Sequence, residues 1–118
     1  MERLHSSHSP AKPFLKWVGG KGQLLSQLIP LVPALSSAAR YFEPFLGGGA
    51  LFFSTNPKAA VVADVNNELI NCYKAVRDSV DDVIAVLREH KYEPDYYYRV
   101  RAMCPDSMSS SERAARMI

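Results

Sequence analysis

The stretch YFEPFLGGGALFF at residues 41–53, followed by AAVVAD at 59–64, decides the fold. Residues 41–44 read as a short strand running directly into Gly47, Gly48 and Gly49. Glycine permits backbone turns that a Cβ forbids and lets a ligand approach the main chain. A helix opening after such a loop offers unpartnered amides and the positive end of its dipole. AAVVAD is nearly all apolar, which suits a parallel strand buried on both faces. Asp64 closes it, where an acid can hydrogen-bond the ribose of an adenosine-containing cofactor. The order of strand, glycine loop, helix, strand and acid predicts an α/β, Rossmann-like nucleoside site.

The loop alone does not choose the nucleoside. In GGGALFF, residues 47–53, Phe52 stands where the dinucleotide fingerprint has its third glycine. A nicotinamide-dependent dehydrogenase is therefore disfavoured. A plain tight turn with a helix-capping acid and no ligand stays open.

Upstream lies PFLKWVGGKG, residues 13–22, with two lysines and a tryptophan around a glycine pair. By itself it reads most simply as Trp17 anchoring the chain while Lys16 and Lys21 are solvated. GGKG at 19–22 signals a turn, and QLLSQLIPLV after it places Leu24, Leu25, Leu28 and Ile29 at helical spacing. Pro30 ends or kinks that helix and Pro33 ends it. Residues 1–12 are polar and read as a disordered lead, and PALSSAAR at 33–40 as a small-residue linker.

Downstream, 66–78 and 80–90 read as helices, the second with an apolar stripe of Val83, Ile84, Val86 and Leu87. Residues 95–104 also read as helical. Ser109 and Glu112 fit a capping box ahead of ERAARMI. That helix is barely two turns long at Ile118, so the chain reads as part of a larger domain.

Composition excludes more than it selects. The 118 residues are 47% apolar, with 14 Lys and Arg against 12 Asp and Glu. A dedicated nucleic-acid module carries a denser basic face. No apolar run nears the roughly 20 residues that span a bilayer, and no signal peptide opens the chain. The expectation is a cytoplasmic protein without membrane or metal partners. Cys72 and Cys104 lack metal or disulfide spacing and read as reduced, buried thiols, and His5, His8 and His90 are too scattered for a metal site. His90 reads as the complement of a helix dipole and Asp78, Asp81 and Asp82 as solvated. Tyr96, Tyr97 and Tyr98 with Arg99 and Arg101 could stack on and bind DNA, but an amphipathic helix burying some tyrosines is the plainer account.

Taken together, three motifs change the balance. FLKWVGGK (14–21), EPFLGGG (43–49) and ADVN (63–66) resemble, in order and distance, the opening of Dam-type DNA adenine methyltransferases. The resemblance extends weakly through YYRVR (97–101) and ERAARMI (112–118), covering 13–118. It implies an incomplete Rossmann-like methyltransferase fold, S-adenosyl-L-methionine as cofactor, and methylation of the exocyclic amine of adenine in double-stranded DNA, in a restriction-modification or a solitary setting. By position it assigns Trp17 and Lys21 to the cofactor lining and Asp64 to the ribose. Glu43, Phe45, Gly47 and Gly49 fall in the loop around the methionine and sugar.

The family's catalytic Asp-Pro-Pro-Tyr is absent from these residues, which contain no Pro-Pro pair. No catalytic residue is therefore assigned, and most DNA contacts are expected from sequence beyond this region. An inactive remnant is the chief alternative. The chain by itself is expected to be poorly folded or self-associating.

Overall fold

The computed structural model describes residues 10–33 and 39–118. Most of the expected lead (1–12) and linker (33–40), and both His5 and His8, lie outside the described residues. The rest forms two compact units, one ending at Val62 and one starting at Ala63.

The first unit is built on β1 (Tyr41–Glu43) and β2 (Ala60–Val62), joined through α2 (Ala50–Thr55). The strands pair in parallel with Tyr41 opposite Ala60, Phe42 opposite Val61 and Glu43 opposite Val62. Strand alternation sends Tyr41 and Glu43 inward and Phe42 outward. Beneath β1, Tyr41 meets Phe52 at 6.1 Å, Phe52 meets Phe53 at 5.3 Å, and Phe14 meets Phe53 edge-on at 6.4 Å. Leu15 and Leu46 complete this small core. Gly49, at φ +77°, sits just ahead of α2 in the left-handed region that glycine enters freely. Asn56 closes the helix there too, at φ 44°, a conformation asparagine tolerates better than most residues.

Two expectations for this unit need correction. β2 is not buried on both faces, because Ala60 and Val61 are exposed and Val62 half-buried. Among the described residues the sheet has two strands, so β2 has a neighbour on one edge only. The QLLSQLIPLV helix is broken into a 3-10 turn at Lys21–Leu24, a single turn α1 at Leu25–Leu28, and a second 3-10 turn at Ile29–Leu31. Pro30, in that last turn, has no amide to donate and its ring crowds the carbonyl four residues back. Leu24, Ile29 and Leu31 are exposed, so the spacing marks no buried stripe.

The second unit is helical: α3 (Asn67–Asp78), α4 (Val80–Glu89), α5 (Pro94–Ala102) and α6 (Ser110–Met117). These match the four sequence expectations to within two residues. The Asn66 side chain caps α3 by accepting from the Leu69 amide at 3.1 Å. Leu69, Cys72 and Ala75 of α3 are buried with Val83 of α4 and Ala114 and Ala115 of α6. The two alanines let α6 lie close to α3, where the Cys72 thiol donates to the Ala114 carbonyl at 3.7 Å. The Arg113–Glu68 ion pair and the Ser110–Asn71 hydrogen bond at 2.7 Å join the same helices. The capping box is formed: Glu112 N donates to Ser109 Oγ at 3.2 Å, and Ser109 N to Glu112 Oε2 at 2.7 Å.

Cys72 is buried as expected, and burial pushes its thiol up to about 11, leaving it inert at neutral pH. Cys104 is exposed, against expectation, because it lies past the end of α5 where no helix face covers it. His90 follows α4 and pairs through Nδ1 with the Tyr96 hydroxyl at 3.2 Å.

Candidate functional site

The residues of PFLKWVGGKG fold back onto the glycine loop. Trp17 to Gly20 form a tight turn, closed by a 3.2 Å bond from Gly20 N to the Trp17 carbonyl. Gly19 takes φ +75°, the value a type II turn demands at its third position. The turn thus begins two residues earlier than GGKG suggested, and Lys21 starts the helical turn that follows.

Trp17 packs on the glycines of the loop. A Cβ on Gly48 would lie 3.1 Å from Trp17 Cβ and 3.5 Å from the Leu15 carbonyl, and one on Gly47 would lie 3.3 Å from the indole. Any side chain here would push the ring away. The same ring borders a cavity of about 410 Å³, walled also by Gly19, Gly20, Gly22, Gln23 and Gly48. That volume suits a small-molecule ligand. Four glycines in one wall leave main chain close to whatever enters.

Lys21 stands between Gly20 and Gly22 in sequence but is not itself part of the cavity wall. Its ammonium donates to Glu43 Oε1 at 2.8 Å and to the Phe45 carbonyl. Glu43 Oε2 accepts from the Tyr41 hydroxyl at 2.6 Å. Glu43 is only 6% exposed, so its charge needs these partners. The Lys21–Glu43 pair is close to neutral as a unit, and one of the three ammonium donors is left after two bonds. Lys16 is exposed.

Six of the seven expected site residues therefore gather in the first unit: Trp17, Lys21, Glu43, Phe45, Gly47 and Gly49. Phe45 keeps its ring exposed and contributes its carbonyl. Asp64 belongs to the second unit, where its Oδ1 accepts from the Asn66 amide at 3.0 Å and so fixes the approach to α3. Sequence reasoning missed Tyr41 and the part played by Gly48. Tyr41 was within reach: two residues apart on a strand, it and Glu43 must share a face.

Of the aromatic and basic group on α5, Tyr96 is half-buried with Arg99 over its ring at 5.6 Å, whereas Tyr97 and Tyr98 are exposed. One tyrosine turns inward. Asp81 and Asp82 are exposed in the first turn of α4, and Asp78 pairs with its neighbour Arg77 at 2.6 Å. Among the described residues no cluster of His, Cys, Asp or Glu could hold a metal, and no helix is long and apolar enough to cross a membrane.

A glycine-walled cavity beside a tryptophan, next to a strand–loop–helix–strand crossover, defines a small α/β unit. The D12 class N6 adenine-specific DNA methyltransferase family matches residues 17–118, and the chain belongs to that family. It is 42% identical to the type II methyltransferase M1.LlaDCHI of Lactococcus lactis, over all of this chain and 43% of that protein. The type II methyltransferase M.MjaIII of Methanocaldococcus jannaschii is 38% identical over 76% of this chain and 37% of its own length. A DNA adenine methylase of Haemophilus influenzae is 34% identical over 87% of this chain and 37% of its own length. The chain thus spans about two fifths of the curated relatives it matches. The family's activity requires a methyl donor.

Proposed function

We propose that the full natural chain carrying these residues transfers a methyl group from S-adenosyl-L-methionine to the N6 amine of adenine in double-stranded DNA, in the cytoplasm. Residues 13–118 then supply the N-terminal part of a Rossmann-like cofactor-binding domain. The observation that carries this reading is the cavity between Trp17 and the glycines, inside a chain of the adenine-specific family.

The residues present fit the cofactor's chemistry. A tryptophan face attracts the sulfonium cation and can also cover an adenine ring. Glycine walls let the main chain approach the ligand without a Cβ in the way. The remaining donor of Lys21 suits the cofactor's carboxylate. Both Glu43 oxygens are engaged within the protein, so Glu43 serves by holding Lys21 in place. Gly47 and Gly49 shape the loop, and Phe45 borders it. Asp64, two residues past β2, is assigned to the ribose hydroxyls.

When bound, S-adenosyl-L-methionine supplies an electrophilic methyl group. These residues bind and orient it, and orientation is worth much of the barrier in a displacement of this kind. The adenine must leave the duplex to reach the methyl, and the groups that hold it lie in sequence beyond these residues.

Calorimetry on the full natural chain tests the reading. Tight binding of S-adenosyl-L-methionine, weak binding of NAD, and labelled methyl transfer to adenine in DNA are expected. Tight NAD binding with no affinity for S-adenosyl-L-methionine would refute it.

A further inference from the structure

The Tyr41 phenol belongs to none of the three motifs, yet it supports the site from beneath. Its ring is 8% exposed and packs on Phe52 at 6.1 Å. Its hydroxyl donates to Glu43 Oε2 at 2.6 Å and also meets the Thr55 hydroxyl at the end of α2. A continuous hydrogen-bonded path runs from Tyr41 through Glu43 to Lys21 and the Phe45 carbonyl.

We propose that Tyr41 is a positioning residue for the amino-acid end of the methyl donor. By occupying Oε2 it holds the Glu43 carboxylate with Oε1 toward Lys21, which keeps one ammonium donor available for the donor's carboxylate. The inference rests on the assignment of Lys21 to that carboxylate under Proposed function.

Valence on a buried carboxylate carries the proposal. Tyr41 and Glu43 sit two residues apart on β1 and both point inward, so the hydroxyl meets Oε2 by strand geometry. Lys21 takes Oε1. Remove the hydroxyl and a nearly buried oxygen loses its partner, which costs its full desolvation. The ammonium then satisfies both oxygens, and the donor it would present to a ligand is spent inside the protein. Burial raises the phenol well above its ordinary range, so Tyr41 remains a donor at any physiological pH.

The test is Tyr41→Phe in the full natural chain, which deletes the hydroxyl and keeps the ring. Calorimetry is run with S-adenosyl-L-methionine and with 5′-methylthioadenosine, which has the nucleoside and sulfur but no amino-acid carboxylate. Affinity for the first should fall about 3- to 10-fold, the worth of one hydrogen bond, while affinity for the second stays unchanged. In a Lys21→Met background, Tyr41→Phe should have no further effect, because its influence runs through Lys21. Equal weakening of both ligands, an undiminished effect in that background, or wild-type affinity in Tyr41→Phe would each overturn the proposal. A wild-type chain that bound neither ligand would instead sink the cofactor reading on which it stands.

Discussion

The Lys21 ammonium and the Glu43 carboxylate meet at 2.8 Å, and the pair pins the segment around Trp17 to the first strand. Glu43 is 6% exposed while the lysine side chain keeps 30% of its surface. The carboxylate is therefore the buried anchor, and the ammonium is the more exposed member. Conserving charge while moving it elsewhere would not substitute for this geometry.

Lys21→Ala is expected to lower stability by about 3 kcal/mol, since it strands a buried charge. It should also impair cofactor binding. Lys16→Ala, at an exposed position immediately before the turn, should leave both nearly unchanged. Denaturant unfolding and calorimetry on the two variants check this. Equal damage from both would show that the motif has been laid on the site in the wrong register.

Gly48→Ala is expected to destabilise by about 1–3 kcal/mol, the usual penalty for overpacking a tight contact. Its Cβ would lie 3.1 Å from Trp17 Cβ, and the indole must shift from the cavity wall to relieve the contact. Cofactor affinity should fall with it. Gly22→Ala is the control, because a Cβ there meets nothing within 4 Å. Thermal melts that ranked Gly22→Ala as the worse variant would contradict the packing described for Trp17.

Asp64→Ala should weaken cofactor binding by roughly 1.5–3 kcal/mol, the scale of a charge-assisted hydrogen bond. Part of any effect could come from losing the bond to the Asn66 amide. Asp64→Asn separates the two, since its amide oxygen can still accept from Asn66 while the charge is gone. If Asp64→Asn melts like wild type and binds cofactor like wild type, the carboxylate has no part in the site.

The sequence revealed local features where one short-range rule governs. The capping box, the four downstream helices and the parallel pairing of the two strands all follow from periodicity or from a fixed residue spacing. The assignment of site residues rests on three motifs in order and on no single short-range rule. Tyr41 shares a face with Glu43 by strand spacing alone, but that this face is the buried one does not show in a three-residue strand. Cys104 was misplaced because a cysteine just past a helix looks the same in sequence whether or not another helix covers it. The 3-10 ending at Ile29–Leu31 follows from Pro30, whose effect reaches back one turn, whereas nothing in the periodicity signals the 3-10 turn at Lys21–Leu24. β2 was read as buried from composition, yet burial depends on neighbours that these residues do not themselves supply.

The second unit should lose stability in acid. The Arg113 hydrogen bond holds the Glu68 carboxyl below its ordinary value near 4.5, so the unfolded chain binds the proton more readily than the folded one. The contribution is therefore fully present above about pH 4.5 and fades as pH falls through the lowered folded value. Glu112, lowered by its bond from the Ser109 backbone, acts in the same direction. Glu68→Gln should flatten part of the acid limb of a stability–pH curve and lower stability at neutral pH. An acid limb identical to wild type would mean that the α3–α6 ion pair contributes nothing in solution.

Residues 1–118 expressed alone should self-associate and methylate no DNA. Phe42 and Val61 stand opposite each other in register, 65% and 53% exposed, on the outer face of a two-stranded parallel sheet. Such a sheet is marginal in water, and among the described residues each strand leaves one edge of amides and carbonyls open to another copy. Phe45, at 74% exposure, adds apolar surface just beyond β1. Association should therefore run through the first unit, with the helical unit little involved. Sedimentation of 1–118 should show concentration-dependent oligomers, and Phe42→Lys with Val61→Glu should reduce them, since the cross-strand pair then becomes charged and solvated. The catalytic Asp-Pro-Pro-Tyr of the family is missing from these residues, so no labelled methyl group should reach DNA at any concentration. A monomer at high concentration, unfolding cooperatively on heating, would refute the association half and leave an independently folding cofactor-binding unit. Measurable methyl transfer by the same material would refute the other half.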